Sequence, residues 1–144
     1  IRYNLKEKKK KDKAVEHQIV KSVCAFLNSR FGGHLLIGVD DRGTAHGIEV
    51  DGFGNEDKAL LHIGNIIRRD IGRVFVAQCN MRVVMVEEKP IVWIHVKPSL
   101  FGPAWYGSGE DRAFYVREGA SSPKYSLEDA QKYIEGVFDL AEEE

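Results

Sequence analysis

Apolar residues near the start of the chain recur every three or four positions, which is the spacing of one buried helix face. They are Val15, Ile19, Val23, Phe26 and Leu27. We therefore predict a helix over residues 13–28, which ends before Gly32 and Gly33 because glycine accepts the backbone angles of a helix end. A continuous apolar run over 34–39 follows and predicts a buried strand.

The middle of the chain alternates turn residues with strand and helix patterns. The turn residues of 40–43 lead into a returning strand over 44–50, so that the two strands form a hairpin. Leucines and isoleucines at helical spacing predict a second helix that ends at Gly72. Two runs rich in β-branched residues, 81–86 and 91–96, predict a second hairpin.

The last third of the chain predicts one more strand and one more helix. A loop rich in glycine and proline, 98–109, precedes a predicted strand over 113–117. Ser126 is a good N-cap and opens a final helix. Hairpins interrupted by about three helices predict an α+β fold, in which the helices pack on a mixed, largely antiparallel sheet.

Composition narrows the class of protein. The apolar share of 43% and the charged share of 30% are those of a globular protein, and no apolar run reaches the ~18–20 residues of a membrane span. We expect one domain, 1–144, in the cytoplasm, with Cys24 and Cys79 as reduced core thiols. Because the first residue is Ile1 and not Met, we expect a fragment of a longer protein.

Charge is distributed unevenly along the chain. The net charge is −1, so binding to nucleic acid requires a local basic patch. Six lysines between positions 6 and 13 are the strongest such feature, and we predict that they occupy a solvated loop before the first helix. The candidate nucleic-acid-binding residues are Lys8, Lys9, Lys10, Lys11, Lys13, Arg42, Arg68, Arg69, Arg117 and Lys124, with Arg73 as a further member. The sequence leaves open whether the lysines bind phosphate or are only solvated.

Aromatic and histidine residues give weaker indications. Trp105 and Tyr106, in the predicted loop, are candidates for stacking on unpaired bases, although loop aromatics also anchor loops onto a core. Trp93 lies in a predicted strand and is expected in the core. The five histidines have no metal-binding spacing, and no nucleophile motif or phosphate-binding glycine loop is found.

Two blocks of sequence carry a resemblance to a known family. The first joins Ala-Phe-Leu-Asn at 25–28 to Gly-Gly-His-Leu-Leu-Ile-Gly-Val-Asp-Asp at 32–41. The second joins 114–122 to the Ser-Leu-Glu-Asp-Ala of 126–130. In these blocks the chain resembles the Schlafen/AlbA-like DNA-binding domain family. The resemblance implies a DNA- or RNA-binding module, phosphate-directed and weakly sequence-specific, within a larger defence protein or transcriptional regulator.

The resemblance also implies a second hypothesis, a metal-dependent endoribonuclease that uses Mg²⁺ or Mn²⁺. Schlafen-type ribonucleases resemble nucleases with two glutamates near the domain start and an aspartate after the first buried strand. Asp40 stands at the aspartate position with Asp41 beside it, but Arg2 stands where the second glutamate is expected. The carboxylate site is therefore incomplete, and we expect neither catalysis nor a cofactor. The resemblance puts the first glutamate upstream of Ile1, so the residues that would have to complete the site are upstream ones or Glu7, Glu16, Glu49 or Asp57.

A third hypothesis is a protein-interaction domain. Residues 2–5 have the pattern of a short edge strand, and an exposed sheet edge can pair with the edge of another chain. Pairing with a second copy would give a homodimer.

Overall fold

The computed structural model describes residues 8–40, 42–47 and 55–139, without the side chains of 8–12 and 139. Within this part of the chain the helices are α1 (Lys8–Asn28), α2 (Glu56–Asp70), α3 (Arg73–Val76) and α4 (Leu127–Ile134), which continues as a π-helical turn (Glu135–Asp139). The strands are β1 (Gly33–Ile37), β2 (Cys79–Val86), β3 (Lys89–Val96), β4 (Phe114–Tyr115) and β5 (Lys124–Tyr125). The predicted α+β class is confirmed. No described helix is long and apolar enough to cross a membrane.

The larger sheet has the strand order β1–β3–β2, and both of its pairings are antiparallel. β2 and β3 form the predicted second hairpin, and each strand starts two residues earlier than predicted. Glu87 and Glu88 make its two-residue turn with φ values of 50° and 68°, as in a type I′ turn. This turn matches the twist of the strands, so pairing extends to Val86 and Lys89.

The main core lies between this sheet and two helices. Val92, Ile94 and Val96 alternate along β3 and point to the inner face, which we define as the face that packs against α1 and α2. Their fully buried partners on the helices include Ile19, Val23, Leu27, Ile63 and Ile67. Burying each such aliphatic side chain stabilises the fold by roughly 1.5–3 kcal/mol.

Both cysteines are buried in this core and free, as the sequence predicts. Burial raises the pKa of Cys24 and that of Cys79 to about 12. Because the thiolate is the reactive form, neither thiol is a nucleophile or a ready metal ligand at neutral pH.

A second, smaller core joins α4 to the β4–β5 pair. Phe114, Val116 and Ala130 are its buried members, and Ser126 caps α4 as predicted by accepting a hydrogen bond from the Asp129 backbone N–H at 3.1 Å. The predicted strand over 113–117 is only two residues long, since its pairing partner β5 is equally short.

Asn28, the last residue of α1, connects the two cores. Its side chain is 1% exposed, and its Nδ2 donates to the carbonyl oxygens of Ala104 and Tyr115, each at 2.9 Å. Its Oδ1 accepts from the Ala104 N–H at 2.8 Å, and its own carbonyl accepts from the Tyr133 hydroxyl at 2.5 Å. One buried amide thus satisfies the backbone of a loop and of β4 at once.

The predicted boundary between the lysine-rich loop and the first helix is wrong. The helix begins at Lys8 and not at residue 13, so the lysines from Lys8 to Lys13 lie on α1 and not in a loop. Lysine has a good helix propensity, and an apolar pattern cannot detect helical turns whose sequence carries no large apolar residue. The predicted edge strand at 2–5 lies outside the described residues.

The first predicted hairpin is also different in the structure. In its described part, 44–47, the returning segment makes a single bridge between Val39 and Ala45 in place of a strand. The reason is local geometry, because Gly38 and Gly47 have φ values of 101° and 85°, which leave the pleated conformation.

The apolar run of β1 is not buried on both sides. His34 is exposed and Leu36 is 42% exposed, whereas Ile37 is fully buried. The described helices that pack on the sheet cover its inner face, so a continuous apolar strand keeps one row of side chains near solvent.

Candidate nucleic-acid interface

The lysine-rich segment forms the first turns of α1. Lys8 to Lys11 and Lys13 belong to this helix, and the first buried side chain that the structure describes on α1 is Val15. Lys13 is exposed, and the side chains of the other four lysines lie outside the described residues. The basic turns therefore precede the part of α1 that packs on the sheet.

One turn further along α1, Glu16 contacts the end of α2. Its carboxylate accepts from His62 Nε2 at 2.7 Å and lies 3.8 Å from Arg69 Nη2. Arg69 also donates from Nε and Nη2 to Asp70, each at 2.9 Å, and this hydrogen bonding raises the Arg69 pKa. The structure thus brings the predicted residue Arg69 next to the basic start of α1, but two carboxylates already neutralise it.

Two further predicted arginines share one groove. Arg68 and Arg73 line a groove of about 440 Å³ between α2 and α3, together with Leu60 and Val76. Arg68 donates from Nη2 to Asn65 Oδ1 at 2.6 Å, and neither arginine forms an ion pair among the described residues. These guanidinium groups keep their charge available to an anion.

Arg117 and Lys124 lie elsewhere on the molecule. The Arg117 guanidinium sits 5.3 Å from the Phe26 ring and donates to the Gly119 carbonyl oxygen at 2.9 Å. Phe26 follows Lys13 by thirteen positions, which is about 20 Å along a helix. The structure therefore does not bring Arg117, or Lys124 on the neighbouring strand β5, together with the lysines.

Asp40 organises the turn that follows β1. Its Oδ1 accepts from the backbone N–H groups of Arg42 and Thr44, at 2.9 and 3.0 Å, and its Oδ2 accepts from His46 Nε2 at 2.7 Å. The hydrogen bond from His46, followed by that from Thr44, lowers the Asp40 pKa. This carboxylate stabilises the turn, and the exposed Arg42 is held beside it.

The described residues do not fit a divalent cation. No three His, Cys, Asp or Glu side chains in 13–40, 42–47 and 55–138 come together as a metal site. Both oxygens of Asp40 already accept hydrogen bonds, and Glu16 is engaged with α2. The candidates Asp41, Glu7 and Glu49 lie outside the described residues, so the carboxylate hypothesis stays a prediction there.

Trp105 and Tyr106 anchor their loop to the protein. The Trp105 ring lies 5.0 Å from the Phe114 ring, with the Arg112 guanidinium 4.3 Å above it. The Tyr106 hydroxyl is hydrogen-bonded to His17 Nδ1 at 3.0 Å. Their contact with nucleic-acid bases stays a prediction.

Trp93 was expected in the core, and this expectation is wrong. It alternates with the inward-facing Val92 and Ile94, so its half-buried indole lies on the outer face, which we define as the sheet face opposite α1 and α2. The Arg82 guanidinium lies 4.3 Å from the centre of its ring. The alternation of residues 92–96 in the sequence is the signal that could have located it.

Two histidines extend the aromatic surface around Trp93. The indole Nε1 donates to His34 Nδ1 at 3.0 Å, and the His34 ring stacks on His95 at 4.4 Å with an angle of 14°. Because an indole N–H only donates, Nδ1 of His34 accepts, and a neutral His34 carries its proton on Nε2. We call His34, Trp93 and His95 the ring cluster.

Comparison with known proteins places the chain in a family. The crystal structure of the DIP2311 protein from Corynebacterium diphtheriae is similar, with a TM-score of 0.61 and 18% identity over 85% of this chain and 19% of that chain. The chain thus spans about a fifth of the length of that protein, and the likeness is one of fold. A family model described as Schlafen, AlbA_2 matches residues 2–126, which supports a nucleic-acid-related domain. The chain therefore belongs to the Schlafen AlbA_2 family.

Proposed function

We propose that this domain binds DNA or RNA mainly through phosphate contacts and with weak sequence specificity. The observation that carries the proposal is the basic start of α1, where the lysines from Lys8 to Lys13 precede the first described buried residue, Val15. The contact between Arg69 and Glu16 also supports the proposal, since it joins the C-terminal end of α2 to α1 one turn after these lysines. The family match supports the class of partner.

The physical basis is the release of counterions from the nucleic acid. Each phosphate that a lysine neutralises frees condensed cations, so the affinity falls steeply as salt rises. A net charge of −1 gives little general attraction to a polyanion, and the binding energy therefore comes from the local patch. Contacts to phosphate read no bases, which accounts for weak sequence specificity.

The test is a salt titration of a Lys10→Gln/Lys11→Gln double variant. We expect the slope of log affinity against log salt, between about 50 and about 200 mM, to become shallower by about 1–2 units on a DNA duplex. A Lys58→Gln/Lys132→Gln variant, which loses the same charge on α2 and α4, is the matched control and should keep the original slope.

Two outcomes would reject the proposal. One is a wild-type protein that binds neither duplex nor single strands at about 50 mM salt. The other is an affinity that does not depend on salt. Equal slopes for the two double variants would reject the basic start of α1 as the phosphate contact.

We also propose that the domain works in the cytoplasm as a module of a larger regulatory or defence protein. The short span of this chain relative to the similar solved protein, 19% of its length, supports a multidomain setting. Comparing the RNA and DNA affinities of the longer protein with those of this segment tests whether binding resides here.

A further inference from the structure

The outer face of the three-stranded sheet has an unusual set of side chains. Asn80 and Arg82 of β2 lie opposite His95 and Trp93 of β3, and His34 of β1 lies on the other side of His95. Lys97 follows His95 by two positions and so lies on the same face. The pairing of β2 and β3 continues to it, because the Lys97 N–H donates to the Gln78 carbonyl oxygen at 3.0 Å. The row is therefore aromatic in its centre and basic at its edges.

The three described strands contribute no acidic side chain to this face. None of the outward positions of β1, β2 and β3 is Asp or Glu. Arg82 and Lys97 are exposed and take part in none of the ion pairs between described residues. A protein with a net charge of −1 thus has one sheet face on which the ionisable groups of the described strands are all basic.

The ring cluster is also accessible. His34 is exposed, while Trp93 and His95 are half-buried. The far end of the face is covered by other described residues, since Ile91 is 2% exposed and its side chain approaches Gly38. Burial in the core therefore does not explain why an indole and two imidazoles occupy adjoining positions on the two strands β1 and β3.

The contacts inside the cluster hold the rings in fixed orientations. Trp93 is held at its edge by the hydrogen bond to His34, and His34 by its stack on His95. The planar guanidinium of Arg82 already lies against the indole, and such a plane also stacks on nucleobases. A ligand with a flat aromatic group meets a surface that is ordered before binding, which lowers the entropic cost of association.

We propose that the outer face binds single-stranded nucleic acid, with unpaired bases stacked on the ring cluster and Arg82, and with Lys97 beside the flanking phosphates. This inference rests on the proposed function and specifies its substrate class. Bases inside a duplex hide their faces in the helical stack, so a stacking surface selects unpaired strands. Every base has an aromatic face, so such binding tolerates many sequences.

Trp93 fluorescence reports directly on this contact. The chain has two tryptophans, so a Trp105→Phe variant leaves Trp93 as the only indole. We expect oligothymidine or oligouridine of about eight nucleotides to quench its emission. A hairpin duplex, in which thymine or uracil is paired with adenine, should leave the emission nearly unchanged. Comparing oligothymidine with oligouridine distinguishes a DNA strand from an RNA strand. Unchanged emission at saturating single strand would overturn the inference.

Affinity measurements on variants provide the second readout. Trp93→Ala should weaken binding to single strands about tenfold and leave duplex binding unchanged, while Trp93→Phe should retain most of the affinity. Phe101→Ala removes another exposed aromatic ring, one that packs on Phe75 outside the outer face, and should bind like the wild type. Circular dichroism of each variant verifies folding, and the phenylalanine variant keeps the test valid if the alanine variant unfolds.

The two proposals fail in different ways. One outcome is that the wild type binds with a steep salt dependence while Trp93→Ala binds single strands as tightly as Trp93→Phe and the wild type do. In that case the ring cluster is not the site, and phosphate binding stands. If the wild type binds neither single strands nor duplex at low salt, the proposed function fails as well. If light scattering shows that Trp93→Ala changes the oligomeric state, the outer face is instead a contact between copies of the chain.

Discussion

Asn28 satisfies three backbone groups that no solvent reaches. Replacing it with alanine leaves the N–H and carbonyl of Ala104 and the carbonyl of Tyr115 without these hydrogen bonds. The Ala104 carbonyl still accepts from the Cys24 thiol at 3.3 Å, so two groups lose their partner. Each buried, unsatisfied group costs about 1–3 kcal/mol, and we expect Asn28→Ala to lower the free energy of unfolding by about 2 kcal/mol or more. Denaturant unfolding measures the change.

The control for this prediction is Gln131→Ala. Gln131 is an exposed amide on α4 that donates to Glu135 at 3.2 Å, and its loss should alter the free energy of unfolding by less than about 0.5 kcal/mol. Similar losses for the two variants would contradict the role assigned to the buried amide.

Asp40 makes stability depend on pH in the acid range. The hydrogen bond from His46 lowers the Asp40 pKa in the folded state, so folding favours the ionised carboxylate. The contribution is fully present above the ordinary aspartate pKa of about 3.9 and is lost as pH falls through the lower, folded-state value. Asp40→Asn should therefore flatten the acid limb of a plot of unfolding free energy against pH.

A substitution of Asp40 also tests the ribonuclease hypothesis. Because both Asp40 oxygens accept hydrogen bonds within the turn, we expect the wild type and Asp40→Asn to treat structured RNA alike in the presence of Mn²⁺ or Mg²⁺. Metal-dependent cleavage by the wild type that Asp40→Asn abolishes would contradict this expectation and restore the carboxylate as a ligand.

At the scale of elements, the β2–β3 hairpin contains a local conflict. Its turn needs positive φ at two positions, yet it carries Glu87 and Glu88, which adopt this conformation less readily than asparagine or glycine. Glu87→Asn/Glu88→Gly should raise the free energy of unfolding by about 1 kcal/mol, as measured by denaturant unfolding. A lower stability would mean that these glutamates have interactions that outweigh the backbone cost.

Helices and hairpins were predictable wherever the pattern is local. The spacing of Val15, Ile19 and Val23 predicts a buried helix face without knowledge of the element that packs on it. The β-branched run that ends at Val86 likewise predicts a strand from neighbouring residues alone. The start of α1 was missed because lysines carry no apolar signal. The first hairpin was predicted but is not formed by the described residues, because Gly38 and Gly47 both leave the pleated conformation.

At the scale of the whole molecule, the charges were predictable and their neighbours were not. The positive charge of Arg69 follows from its residue type, but its contact with Glu16 depends on the packing of α1 against α2. Packing likewise puts Arg117 at the other end of α1 from the lysines. Trp93 was expected in the core because it lies in a predicted strand, although the alternation of residues 92–96 separates it from the inward-facing Val92 and Ile94. Homodimer formation stays a prediction.

The link through Asn28 has a consequence for how the molecule opens. The Tyr133 hydroxyl and the Ala104 and Tyr115 backbones all bond to a residue in the last turn of α1, so detaching the second core from α1 leaves these buried polar groups without their partners. We therefore expect the second core to open together with the main core. Local opening and global unfolding then become one cooperative event. Amide protons of β4, although it is only two residues long, should consequently exchange with solvent as slowly as those in the middle of β3.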